Sequence, residues 1–96
     1  MSFTNSGYSF TEAKIKAVAP TGSGVYGLYT SQRWVYIGET KNIEQRLLQH
    51  LAGDNACISG WNPTGFAYES VTADERVARQ DALILELNPA CNQKLG

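Results

Sequence analysis

Tyr26, Tyr36, Arg46 and His50 are residues whose types and spacing suit chemistry. A phenol donates or accepts a hydrogen bond, and its ordinary pKa of ~10 makes it a poor base unless a neighbour lowers that value. Arginine presents a planar fork of donors that stays charged and matches a phosphate. Histidine gives or takes a proton near neutral pH. Arg46 and His50 are four apart, so on a helix they share a face, with Leu47 and Leu51 alongside. That places a phosphate contact beside a proton carrier. Taken by spacing alone, the tyrosines read more readily as ordinary strand aromatics, and the Arg–His pair as a solvated helix face.

Gln80 stands out in the second half. Gln80, Leu83, Ile84 and Leu87 fall at i, i+3, i+4 and i+7, the face a helix turns to its core. A buried amide without partners costs on the order of 1–3 kcal/mol, so a polar residue there calls for a reason. It is either a satisfied core glutamine or part of a site.

The elements that must position these residues follow from local pattern. Ser9-Phe10-Thr11-Glu12 reads as a capping box opening a helix that Pro20 ends. Val25–Tyr29 and Trp34–Ile37 are rich in β-branched and aromatic residues and predict two strands joined by a short turn. Asn42 caps a helix whose stripe is Ile43, Leu47, Leu48 and Leu51. The stretch 55–65 has turn formers without a period and reads as a loop. Phe66–Val71 is a third strand. Thr72-Ala73-Asp74-Glu75 reads as a second capping box, opening a helix through Leu87. The fold class is α+β, a three-stranded, mainly antiparallel sheet flanked by helices, in the order α-β-β-α-β-α.

The tyrosines meet only in one register. Side chains alternate along a strand, so Tyr26 and Tyr36 share a face when even-numbered residues pair with even-numbered ones. A three-residue loop, Thr30 to Gln32, does this and sets Tyr26 opposite Tyr36. A two-residue loop, Ser31-Gln32, sends them to opposite faces.

Composition narrows the class. The chain has 96 residues, 43% hydrophobic and 18% charged, which suits one globular domain over 1–96. Residues 1–22 form an N-terminal helix and loop, and 24–92 the core that bears the motifs. No apolar run suits a membrane span and no secretory signal is visible. Cys57 and Cys91 fit neither a zinc pattern nor a disulfide framework, and read as reduced thiols of a cytoplasmic protein. His50 is the only histidine, which excludes a multi-histidine metal site. The formal net charge is −1, so any grip on nucleic acid must come from a local basic patch.

The ordered set Gly24-Val25-Tyr26, Tyr36-Ile37-Gly38, Asn42-Ile43, Arg46 and His50, with the closing Asn88-Pro89-Ala90-Cys91-Asn92, resembles the GIY-YIG nuclease module. The likeness runs from about Gly24 to Asn92. It implies a metal-dependent DNA endonuclease that hydrolyses phosphodiester bonds with one divalent ion, Mg2+ or Mn2+. Tyr26 and Tyr36 are then the active-site tyrosines, one of them helping, with His50, to deprotonate the attacking water. Arg46 holds the phosphate and Asn92 orients the site. Arg33, Lys41, Gly38 and Arg46 are candidate DNA contacts, with Arg76 and Arg79 as further cations. Trp61 either stacks on an unpaired base or covers the core edge.

The departure from the family's pattern is Gln80. Counting back from Asn88-Pro89, the family's metal-binding glutamate falls on this residue. An amide keeps the shape and a carbonyl oxygen but loses the charge that Mg2+ prefers. Glu75 is assigned to the cap, and Asp81 and Glu86 sit elsewhere round the helix. The expectation is little or no hydrolysis by this chain. Gln80 is then an engineered exchange, favoured because every other motif position is intact, or the mark of a silent relative. The alternative reading is a GIY-YIG fold that binds nucleic acid without cutting it. Duplex or branched DNA is the expected partner. With no added DNA-reading module visible, a protein partner or self-association would supply targeting.

Overall fold

Asn42 starts the helix that carries Arg46 and His50. Its side chain accepts from the Gln45 amide at 2.9 Å and satisfies one of the free donors of the first turn. The helix, Ile43–Leu51, is the second of four. The computed structural model describes residue 3 and residues 7–92. In chain order the elements are β1 (Tyr8–Ser9), α1 (Glu12–Val18), β2 (Gly24–Tyr29), β3 (Trp34–Thr40), α2 (Ile43–Leu51), α3 (Ala56–Trp61), β4 (Gly65–Ser70) and α4 (Arg76–Leu87).

The sheet has four strands, not three, in the order β1-β4-β2-β3, and every pairing is antiparallel. The added strand is the pair Tyr8–Ser9 on the outer edge of β4. Two residues are too few to show a period of two, so pattern alone does not reveal it.

Apolar residues line both faces of the sheet. Tyr26, Leu28 and Phe66 pack with Ile15 of α1, Ile43 and Leu47 of α2 and Ile58 of α3. On the other face Val25 and Ile37 pack with Leu83 of α4. Helices therefore cover both faces, and the central strand β2 is buried from Gly24 to Leu28.

The register brings the tyrosines together by a different route from the expected one. Tyr26 opposes Gly38, and Leu28 opposes Tyr36, so even pairs with even and both tyrosines share a face. They are diagonal neighbours rather than opposite each other. The connection is four residues, Thr30 to Arg33, and a register shift leaves Val35 without a partner. The extra loop residue shifts the pairing by one and the unpaired Val35 by one more, a total of two, which preserves the face.

Several local expectations are corrected. The cap of α1 is Thr11, which accepts from the Lys14 amide, so the Ser9 box does not form. The Thr72–Glu75 box does not form either. Those residues make a turn, and α4 begins at Arg76 without a side-chain cap. Residues 56–61 are a short helix rather than loop, capped by Asn55 through the Ile58 amide. In α2 the buried face is Ile43, Leu47 and His50, while Leu51 is exposed. Packing turns the helix so that His50, seven residues after Ile43, takes the place expected for an apolar residue.

The cysteines are also corrected. Cys57 on α3 and Cys91 in the C-terminal segment form a disulfide across 34 residues of sequence. The chain brings their Cα atoms to 5.9 Å, within bridging range. Among the described residues no helix is long and apolar enough to cross a membrane.

Candidate active site

Gly38 makes the site possible. It lies on β3 opposite Tyr26, and a Cβ there would sit 2.5 Å from the Tyr26 hydroxyl oxygen and 3.0 Å from a ring carbon of Tyr36. The missing side chain is the space both rings use. Their centroids lie 6.2 Å apart. Gly38 is itself buried, so its visible task is to seat the rings.

His50 reaches this pair from α2. Its Nε2 lies 2.7 Å from the Tyr26 hydroxyl, and its ring meets the edge of Tyr36 at 5.3 Å. His50 is 3% exposed and Tyr26 is 1% exposed. Burial disfavours charge on both. The Tyr26 phenol is pushed far above its ordinary range by burial, then by Tyr36, against a counter-pull from Arg46. The His50 pKa is lowered by burial and by Arg46, with Asp54 opposing. The neutral form of His50 is thereby favoured.

Arg46 sits one turn before His50, and its guanidinium Nη1 donates to Gln49 at 2.8 Å and to Asp54 at 2.6 Å. Asp54 also meets His50 Nδ1 at 2.9 Å. Burial opposes its charged form, but the bonds to Arg46 and His50 win and lower its carboxyl pKa. Asp54 was missed by sequence reasoning. The signal was available: it lies four residues after His50 and eight after Arg46, beyond the glycine that ends the helix.

Asn92 acts as a strand partner. Its Oδ1 accepts from the Ile37 amide at 2.7 Å and its Nδ2 donates to the Ile37 carbonyl at 2.8 Å. The amides of Ala90 and Cys91 donate to the carbonyls of Trp34 and Val35. The C-terminal segment thus lies along the outer edge of β3, and the disulfide ties it to α3. Tyr36 projects from the strand this segment holds.

Gln80 is half-buried and lines a cavity of about 460 Å3 with Tyr36, Asp81, Ile84, Leu85 and Asn92. Its Nε2 meets Asp81 Oδ1 at 3.3 Å. Asp81 therefore shares the cavity with Gln80, where helical spacing placed it elsewhere. The Tyr36 hydroxyl has no hydrogen-bond partner among the described residues. Among those residues no group of three or more His, Cys, Asp or Glu could hold a metal. The available donors are one amide carbonyl and one carboxylate. That set suits a hard divalent ion that completes its shell with water and phosphate oxygens, held weakly.

The candidate DNA contacts separate by engagement. Lys41 is exposed just before α2. Arg33 is exposed, donates to the Asn88 carbonyl at 3.0 Å and lies 5.3 Å from the Trp61 ring centre. Trp61 belongs to α3 and is 44% exposed. Arg76 is engaged with Glu39 and Ser23, and Arg79 binds Glu69 through two nitrogens.

Comparison with known proteins gives the family and the fold. The GIY-YIG catalytic domain family matches residues 22–88. The fold is similar to the GIY-YIG N-terminal endonuclease domain of UvrC from Thermotoga maritima. A tyrosine-to-phenylalanine variant of that domain, bound to its catalytic divalent cation, has a TM-score of 0.71 and 24% identity, covering 84% of this chain and 97% of that one. The same domain bound to magnesium has a TM-score of 0.68 and 24% identity, covering 80% and 93%. No curated protein shows significant similarity to the chain.

Proposed function

Because the chain belongs to the GIY-YIG catalytic domain family, we propose that it is a metal-dependent DNA endonuclease domain that hydrolyses phosphodiester bonds, with little or no hydrolysis while Gln80 stands at the metal position. The observation that carries this reading is the convergence of Tyr26, Tyr36, His50 and Arg46 at one end of the sheet. The pair at its centre is the Tyr26 hydroxyl on His50 Nε2.

Each residue has a task in this reading. Arg46 holds the scissile phosphate and offsets charge gained in the transition state. Tyr36, half-buried with its hydroxyl unpartnered, orients the attacking water. A free phenolate at Tyr26 is disfavoured by burial. Its oxygen therefore takes the water's proton only as its own proton passes to His50 Nε2. The water oxygen bonds to phosphorus, the bond to the leaving oxygen breaks, and that oxygen takes a proton from solvent. Asn92 holds β3, and so Tyr36, in place. Gln80 Oε1 and the Asp81 carboxylate would hold the divalent ion, Mg2+ or Mn2+. When bound, the ion polarises the phosphate and offsets charge on the leaving oxygen. The UvrC domain's magnesium-bound form supports magnesium as the ion.

DNA is the proposed partner, gripped through Arg33, Lys41 and Arg46 around Gly38, with a protein partner or self-association for targeting. A cytoplasmic location now rests on the proposed DNA substrate alone, and the Cys57–Cys91 bond speaks against it, because disulfides are rare in the cytosol. Gln80 also favours the second reading, a fold that binds nucleic acid without cutting.

The test compares this chain with its Gln80→Glu variant on supercoiled plasmid and branched DNA, with Mg2+ and with Mn2+. The glutamate should raise nicking by at least ~100-fold, beyond the 10–100-fold typical of an outer-shell change. Mn2+ titration should show tighter binding by at least ~10-fold in Gln80→Glu, about 1.4 kcal/mol, and weaker binding in Asp81→Asn. Efficient magnesium-dependent cutting by the unaltered chain would sink the Gln80 assignment. Cutting by neither protein, with salt-sensitive DNA binding, would favour the second reading.

A further inference from the structure

Asp54 has no task in the reaction above, yet its two carboxylate oxygens are divided between two site residues. Oδ1 meets His50 Nδ1 at 2.9 Å, and Oδ2 accepts from Arg46 at 2.6 Å. An ionised carboxylate only accepts, so Nδ1 must carry the imidazole proton. A neutral ring has one proton, so Nε2 is a bare lone pair. Tyr26 is then the donor in the 2.7 Å contact with Nε2. The Arg46 charge acts on Tyr26 and pulls its phenol down against the effect of burial. Three hydrogen bonds join the four side chains in a row: Tyr26 to His50, His50 to Asp54, and Asp54 to Arg46. Asp54 is the member with two acceptors and no donor, and it sets the direction of every other bond.

We propose that Asp54 is a positioning residue that fixes His50 in the tautomer able to take the Tyr26 proton, while it aligns the Arg46 guanidinium beside that tyrosine. Without it the imidazole is free to place its proton on Nε2. A proton there faces the phenol oxygen, and the route out of Tyr26 is closed. The charge that His50 gains on accepting the proton lies against the Asp54 carboxylate. This inference rests on Tyr26 and His50 as the proton-transfer pair. The groups that face His50 are Tyr26 and Tyr36 from the strands, Arg46 on its own helix and Asp54 beyond its end, while α3 contributes the apolar Ile58.

The test is nitrogen-15 NMR of the single histidine in this chain, which needs no nuclease activity. The unaltered protein should show Nδ1 protonated and Nε2 bare at neutral pH. Asp54→Leu should turn the population towards Nε2–H. A native-like spectrum of Asp54→Leu with the tautomer unchanged would overturn the assignment. If Asp54→Leu does not fold, Asp54→Asn decides. It keeps the shape but leaves Arg46 unneutralised, so the His50 titration midpoint should fall below that of the unaltered protein. An unmoved or raised midpoint would overturn the proposal. In the Gln80→Glu background, Asp54→Asn should lower kcat far more than it raises KM. Failure of Gln80→Glu to cut refutes the nuclease reading and leaves the tautomer result standing.

Discussion

Gly38 and His50 show how single positions govern this site. At Gly38 a methyl group would meet the Tyr26 hydroxyl at 2.5 Å and its ring at 2.7 Å, so the ring must move. Gly38→Ala should cost about 1–3 kcal/mol, the usual penalty of overpacking a filled core, and should alter the near-ultraviolet circular dichroism of the tyrosines. An unchanged melting temperature would show that the ring has room to spare. His50 carries a pH dependence whose sign follows from its burial. Its folded pKa lies below the ordinary 6.5, so the unfolded chain binds the proton more readily. This contribution to stability is full above that value and is lost as pH falls through it. Asp54, also lowered, adds a second loss below its ordinary 3.8. Melting temperature should fall between about pH 7 and pH 5, and His50→Gln should flatten that stretch. A flat profile for the unaltered protein would contradict the burial of neutral His50. The candidate set was legible because residue type and order carry it: Tyr26, Tyr36, Arg46 and His50 lie together in the fold. Asp54 was not, because it follows the helix and a charged residue after a glycine looks like surface.

Elements were legible where they are long and periodic, and illegible where tertiary contacts decide. β2, β3, β4 and α2 lie within a few residues of their expected bounds. α3 was hidden because six residues among Asn55, Gly60, Asn62 and Pro63 show more turn former than period. β1 exists only through its pairing with β4. The disulfide was invisible because two cysteines 34 apart carry no spacing signal. Its consequence is mechanical. The bridge joins α3 to the segment whose Asn92 holds Ile37, next to Tyr36. Closing a loop of that size limits the unfolded chain and should stabilise the fold by ~3–4 kcal/mol. Cys57→Ser should therefore lower stability by about that amount, measured by denaturant titration. Hydrogen exchange should also quicken at the Ile37 amide, whose acceptor is Asn92. Exchange unaltered at Ile37 would show that the tail holds β3 without the bridge.

At the scale of the whole molecule, the difficulty is electrostatic. A net charge of −1 gives no general attraction to DNA, so the affinity depends on which cations are free to meet phosphate. The fold decides that. Arg76 and Arg79 are spent inside, against Glu39 and Glu69, and fasten α4 to the sheet. Arg33 and Lys41 are exposed, and Arg46 is held by Asp54 until a phosphate competes for it. About three phosphate contacts should give a slope near ~−3 in log K against log salt, shallow for a DNA-binding protein. Arg33→Ala and Lys41→Ala should each reduce that slope by about 1, uniformly across sequences. Arg76→Ala and Arg79→Ala should instead lower the melting temperature and leave the slope alone. If the Arg76 and Arg79 changes flatten the slope, these arginines leave their carboxylates on binding and α4 joins the DNA face. If Arg33 and Lys41 do not affect it, the phosphate track runs elsewhere. Phosphate contacts carry no sequence information, so any choice of site has to rest on something besides these cations.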